Sequence, residues 1–125
     1  MSGVTFDAGA LIALDRGDRR ILVLLARARE TGAAITVPAT ALAQAIREPR
    51  RQARLSRFVR QPFTKIATLD AADATRVGLL LARTNTRDIA DAHVVVSAQR
   101  AGQAIVTSDP DDLRRLHPGA ELIAI

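Results

Sequence analysis

Residues 88–109 read DIADAHVVVSAQRAGQAIVTSD, and this stretch decides the class of fold. Its first half predicts a strongly apolar helix over 88–100, with Asp88 and Asp91 in the first turn. Gly102 breaks the helix. A short β-type run, 103–106, follows and leads to an acid, Asp109. A helix that returns directly into a strand is half of a parallel crossover unit. The same unit recurs outward in both directions. VTFD at 4–7 is a strand ending on an acid, followed by helical spacing at Leu11, Ile12 and Leu14. A second helix is expected over 21–28, a strand over 35–37, helices over 39–47 and 50–60, a strand over 64–67 and a helix over 71–83. After Asp109 come a short helix from Pro110 and a last strand over 121–125. Alternation of this kind predicts an α/β fold with a mostly parallel sheet of about five strands. The chain has 125 residues, which suits one domain over 1–125.

Composition narrows the function. There are no cysteines, so disulfides, thiolate zinc sites and a thiol nucleophile are excluded. No apolar run approaches a membrane span. The first residues, MSGVTFD, lack a basic region before the apolar stretch, so they are not read as a signal peptide and a cytoplasmic protein is expected. Neither a GxGxxG nor a GxxxxGK[ST] motif is present, which removes dinucleotide and P-loop chemistry. A phosphoryl-accepting receiver domain would want an acidic pair after the first strand and a Lys after the last. The only Lys, Lys65, lies in the third strand. Tyr and Trp are absent and Phe occurs three times, so stacking of bases on aromatic platforms is not expected.

The acids carry the chemical signal. Ten are Asp and three are Glu, although helix surfaces favour Glu. In a parallel sheet Asp7 and Asp109 fall at the same C-terminal edge, where open α/β sheets place their sites. Asp88 and Asp91, three apart, share a helix face. Each acid also has a structural reading. Asp109 before Pro110, Asp88 before its helix and Asp7 before the next one all suit N-caps. Asp91, amid Ala90, Ala92, Val94 and Val95, fits that reading least: it is expected to be partly buried, and a buried carboxylate needs a partner. Together the acids predict a site for a hard divalent cation, Mg²⁺ or Mn²⁺. The two histidines, His93 and His117, are read as structural or surface groups. Thr107 and Ser108 are read as caps or as phosphate contacts.

Four motifs, FDAGALIALD, VPATALAQAIR, DIADAHVVVSA and AIVTSDPDDL, occur in the order and spacing of PIN-domain proteins. The chain resembles that family over essentially its whole length, and in particular the VapC-type ribonuclease toxins of type II (VapBC) toxin–antitoxin systems. The resemblance implies a PIN-like three-layer fold with helices on both faces of the sheet. It implies a Mg²⁺- or Mn²⁺-dependent endoribonuclease, a hydrolase of RNA phosphodiester bonds that forms a homodimer and is silenced by a cognate antitoxin. It implies Asp7, Asp91 and Asp109 as catalytic acids and metal ligands, with Asp88 and Asp112 as accessory acids. It also exposes a departure: the family's second acid falls here on Gln44, a neutral carboxamide. Glu48, one turn later, replaces it only if the helix is displaced. The alternative is therefore a PIN-like protein that binds RNA and cuts weakly or not at all. Arg47, Arg50, Arg51, Arg54 and Arg57, with Arg60, form a basic run whose guanidinium groups suit RNA phosphates; a plain solvated helix face is the other reading. Apolar residues in 21–28 and 39–46 pack in the core or, by the resemblance, help receive the antitoxin.

Overall fold

The computed structural model describes residues 3–125; Met1 and Ser2, the start of the N-terminal reading and of the expected 1–125 domain, lie outside the described residues. Five strands form one sheet: β1 (Val4–Phe6), β2 (Ile35–Pro38), β3 (Thr64–Ala67), β4 (Ala104–Thr107) and β5 (Leu122–Ala124). Their order is β3-β2-β1-β4-β5, and every pairing is parallel. The expected sheet was mostly parallel; all of it is. The helices are α1 (Ala8–Asp15), α2 (Arg19–Thr31), α3 (Ala39–Ala45), α4 (Ala53–Val59), α5 (Ala71–Thr84), α6 (Ile89–Ala101) and α7 (Pro110–Leu116). Among the described residues none is long and apolar enough to cross a membrane.

Chain direction sets the layers. From β1 the chain steps to β2 and β3, then returns past β1 to β4 and β5. Right-handed crossovers in the two directions put α1–α4 on one face and α5–α7 on the other. On the first face Phe6 stacks on Phe58 of α4, with ring centroids 5.7 Å apart, and Phe58 meets Phe63 at 6.1 Å. Arg29 of α2 covers the Phe63 ring at 5.2 Å. Leu11, Ile21 and Leu55 are buried with them. On the second face α6 runs under β2, β1 and β4, and its Val94, Val95 and Val96 are buried.

Two boundaries differ from the sequence expectation for one reason. The helices expected over 39–47 and 50–60 are α3, ending at Ala45, a 3₁₀ turn at Pro49–Arg51, and α4, starting at Ala53. Gln52 interrupts them. Its Oε1 accepts from the backbone N–H of Arg47 (2.9 Å) and Glu48 (3.1 Å), and its Nε2 donates to the Ala45 carbonyl (2.8 Å). A single buried side chain thus satisfies three backbone groups that a continuous helix would have paired.

The fold has one topological switch, between β1 and β4, where consecutive connections leave in opposite directions. A crevice forms there at the C-terminal ends of the strands. Asp7 and Asp109 follow those two strands.

Candidate active site

Asp7 is placed by both sheet and helix. Its N–H donates to the Val106 carbonyl (3.2 Å), extending the β1–β4 junction by one residue. Its carboxylate Oδ1 accepts from the Ala10 N–H (2.8 Å), capping α1. The side chain is only 4% exposed. Burial pushes its carboxyl above the ordinary carboxylate range, as does the charge of Asp109, while hydrogen bonds from Thr107, Ala10 and Gly9 act against that rise. Thr107, fully buried, is the bridge. Its hydroxyl hydrogen-bonds to Asp7 and its Oγ1 accepts from the Asp109 N–H at 2.9 Å.

Asp88 caps α6 by accepting from the Asp91 N–H (2.9 Å). Asp91 itself is half-buried in the first turn. Its carboxyl is pushed up to about 7, first by burial and then by the charges of Asp88, Asp7, Asp112 and Asp109. Asp109 stands at the N-cap position of α7 but makes no capping hydrogen bond. It bonds instead to Asp112, whose carboxyl is raised chiefly by that contact. The cap reading therefore holds for Asp7 and Asp88 and fails for Asp109. Asp111, between the two, turns outward to Arg114 (3.2 Å).

Five carboxyls thus act on one another electrostatically at the switch point. Among the described residues no Arg or Lys pairs with Asp7, Asp88, Asp91 or Asp109; only Asp112 has a cation near it, Arg115 at 3.7 Å. Also among the described residues, no three acidic or imidazole groups close into a ready-made metal cage. Carboxylate oxygens suit Mg²⁺ or Mn²⁺, which keep several waters and bind through one or two carboxylates plus substrate phosphate. The donor chemistry and the unneutralised crowding both fit a hard divalent cation.

The remaining expected residues fall elsewhere. Gln44 is exposed on α3, and its backbone carbonyl accepts from Arg47 Nε (3.3 Å). Glu48 is exposed and pairs with Arg51 (3.6 Å); it is not among the charges that shift Asp7 or Asp91. The α3 region therefore adds no carboxylate to the field at these two acids. The basic run divides. Arg47 and Arg51 line a groove of about 860 Å³ that begins at Gly9 and Ser108, beside Asp7. Arg54 and Arg57 line a separate hollow with Leu22 and Phe58. Arg50 and Arg60 are exposed.

His93 is structural, as expected. It is fully buried, with Nε2 3.1 Å from the Thr68 carbonyl and Nδ1 2.7 Å from Thr40 Oγ1. Nε2 must donate to a carbonyl, and in the neutral ring Nδ1 then accepts from the Thr40 hydroxyl. Burial lowers its pKa accordingly. Sequence reasoning missed the roles of Gly9, Thr107 and Gln52. A Cβ at Gly9 would lie 2.1 Å from Ser108 Oγ and 3.5 Å from Asp7 Oδ1. A side chain at this position would force the Ser108 hydroxyl to turn away.

The PIN domain family model matches residues 4–117, and comparison with curated proteins returns no match. The match covers nearly all of the chain, and the chain belongs to the PIN domain family. PIN domains are generally nucleases and typically use divalent metal ions.

Proposed function

We propose that this PIN domain is a Mg²⁺- or Mn²⁺-dependent endoribonuclease, the VapC-type toxin of a toxin–antitoxin pair, acting in the cytoplasm. The observation that carries the reading is Asp91: a carboxyl held at about 7 by burial and four neighbouring acids, at the crevice where an α/β sheet binds its ligand. Such crowding is unfavourable in the free protein and is relieved when positive charge arrives. Asp7, Asp91 and Asp109 would hold the cation, with Asp88 and Asp112 supporting them. A divalent cation supplies polarisation of a phosphoryl oxygen and acidification of a water molecule near neutral pH. The chain's own part is positional. Thr107 fixes Asp7 and the Asp109 backbone relative to one another, Gly9 keeps the approach to Asp7 open, and Asp91 gives up its proton as the site fills.

RNA is the proposed substrate, through phosphate contacts from the part of the basic run that lines the groove beside Asp7. A cognate antitoxin and a homodimer are proposed partners. The apolar hollow of about 730 Å³ between α2 and β5, beside the exposed Val23, suits the first. The exposed Leu79 and Ile89 suit the second.

One observation favours a second reading. Gln44 is uncharged, and Glu48 is not among the charges acting on Asp7 or Asp91, so RNA binding with feeble hydrolysis is the alternative. Cleavage of total cellular RNA by the purified protein, with Mg²⁺, Mn²⁺ or chelator, separates the two. Discrete metal-dependent products, lost in Asp7→Asn and Asp91→Asn, are expected. No cleavage by parental protein, restored by Gln44→Glu, establishes the alternative; full activity in both Asn variants overturns the site.

A further inference from the structure

We propose that the groove beside Asp7 is a track for the sugar–phosphate backbone of one substrate strand, held by Arg47 and Arg51, and that Arg54 and Arg57 take no part. The proposal rests on the nuclease reading for its substrate and on separate residues for its argument. The groove, about 860 Å³, starts at Gly9 and Ser108 and runs along α1 to the corner between α3 and α4. A strand lying in it enters next to the buried Asp7 carboxylate.

Three features make the corner a built surface. Gln52, 9% exposed, ties the backbone of Ala45, Arg47 and Glu48 together, so Arg47 and Arg51 project from a fixed turn. The Arg47 guanidinium has no carboxylate partner among the described residues; its Nε donates to the Gln44 carbonyl at 3.3 Å. Arg51 touches Glu48 at 3.6 Å, with both side chains well exposed. An exposed pair of this kind is weak and exchanges readily for phosphate. Of the other charges in the groove, Arg16 adds a further guanidinium, while Arg20 and Asp15 are engaged. Arg20 is bound twice by Asp18, at 3.3 and 3.0 Å, and Asp15 Oδ1 accepts from the Leu55 N–H at 3.3 Å.

Arg54 points elsewhere. Its Nη1 covers Gly17, where an added Cβ would lie 1.8 Å away. Arg54 and Arg57 both face the hollow formed with Leu14, Leu22 and Phe58. Phe6 and Phe58 are buried and Phe63 is covered by Arg29, so no ring is offered for base stacking. Binding through phosphates alone positions a strand without reading its sequence.

The test is fluorescence anisotropy with a labelled single-stranded RNA, in chelator so that no cleavage occurs, across a salt series. Arg47→Gln/Arg51→Gln is expected to bind about tenfold more weakly and to lose about 1.4 from the salt slope, for two single-strand contacts. Arg54→Gln/Arg57→Gln is expected to stay within about twofold of the parent. Equal losses in both variants, or no loss in the first, overturn the track. A protein that never cleaves RNA yet shows the asymmetry loses the nuclease reading and keeps the track. One that cleaves RNA without the asymmetry does the reverse.

Discussion

The Asp91 carboxyl lies half-buried in the first turn of α6, and four other acids raise it to about 7. A carboxyl raised in the folded state makes that state hold more protons than the unfolded chain. Its stability contribution is therefore intact below pH 3.8 and is lost as pH rises toward 7. Asp91→Asn removes the charge and keeps the shape. We expect it to stabilise the metal-free protein by about 2 kcal/mol at pH 8, after allowing for the part water reaches. That is a rise in Tm of about 6 °C. At pH 4 the gain should vanish. Thermal melts at the two pH values check this, and a stability loss at pH 8 would contradict it. His93 works in the opposite direction: its lowered pKa withdraws stability as pH falls below 6.5, so the comparison must be made between variants at one pH. On the proposed function, Asp91 exchanges stability for activity. Asp91 stood out in the sequence because an acid among valines violates a local pattern. Gln52 did not, because a neutral polar residue breaks no pattern, and Thr107, read as a cap or a phosphate contact, gave no sign of its bond to Asp7. Asp7, which Thr107 serves, lies a hundred residues away in the chain.

At the scale of elements, α5 and α6 are joined by a contact that no periodicity announced. Asp73 of α5, 3% exposed, takes both terminal nitrogens of Arg100 from α6. Neither Asp73 nor Arg100 was singled out in the sequence; only packing shows that they meet. Breaking such a pair leaves a buried charge without a partner. Arg100→Ala is therefore expected to cost about 2–3 kcal/mol, below the 3–5 typical of a wholly buried pair because Arg100 is half exposed. Tm should fall by about 10 °C, while nuclease activity per folded molecule stays unchanged in an assay well below that temperature. A Tm within about 2 °C of the parent would show the contact to be an ordinary surface pair. Helix existence was legible throughout, since Pro, Gly and apolar spacing mark most of the elements. The break between α3 and α4 was expected but not its width, because it is Gln52 that diverts the hydrogen bonds of the residues between.

For the whole molecule, alternation of strand and helix predicts a parallel sheet but not which strands are neighbours. The return of β4 to the side of β1 creates the switch point, and with it the meeting of Asp7 and Asp109. That meeting was inferred from the shared C-terminal edge of all parallel strands, which any order would have provided; adjacency is what brings Thr107 between them. The consequence is a protein of net charge +5 that gathers five acids at one crevice where, among the described residues, Arg115 is the one base paired with any of them. A ligand that binds only the folded state stabilises it by mass action, by about 2.7 kcal/mol at a hundredfold excess over Kd. Mg²⁺ is thus expected to raise Tm. Because Asp91 titrates at about 7 and must release its proton for the cation, the rise should be larger at pH 8 than at pH 6. Chelator should reverse it, and Asp7→Asn should remove it. Melts in Mg²⁺ and in Na⁺ of equal ionic strength decide the matter: Mg²⁺ that does no more than Na⁺, or that acts equally on Asp7→Asn, would mean that the acids at the switch point hold no cation and that their crowding is left unrelieved.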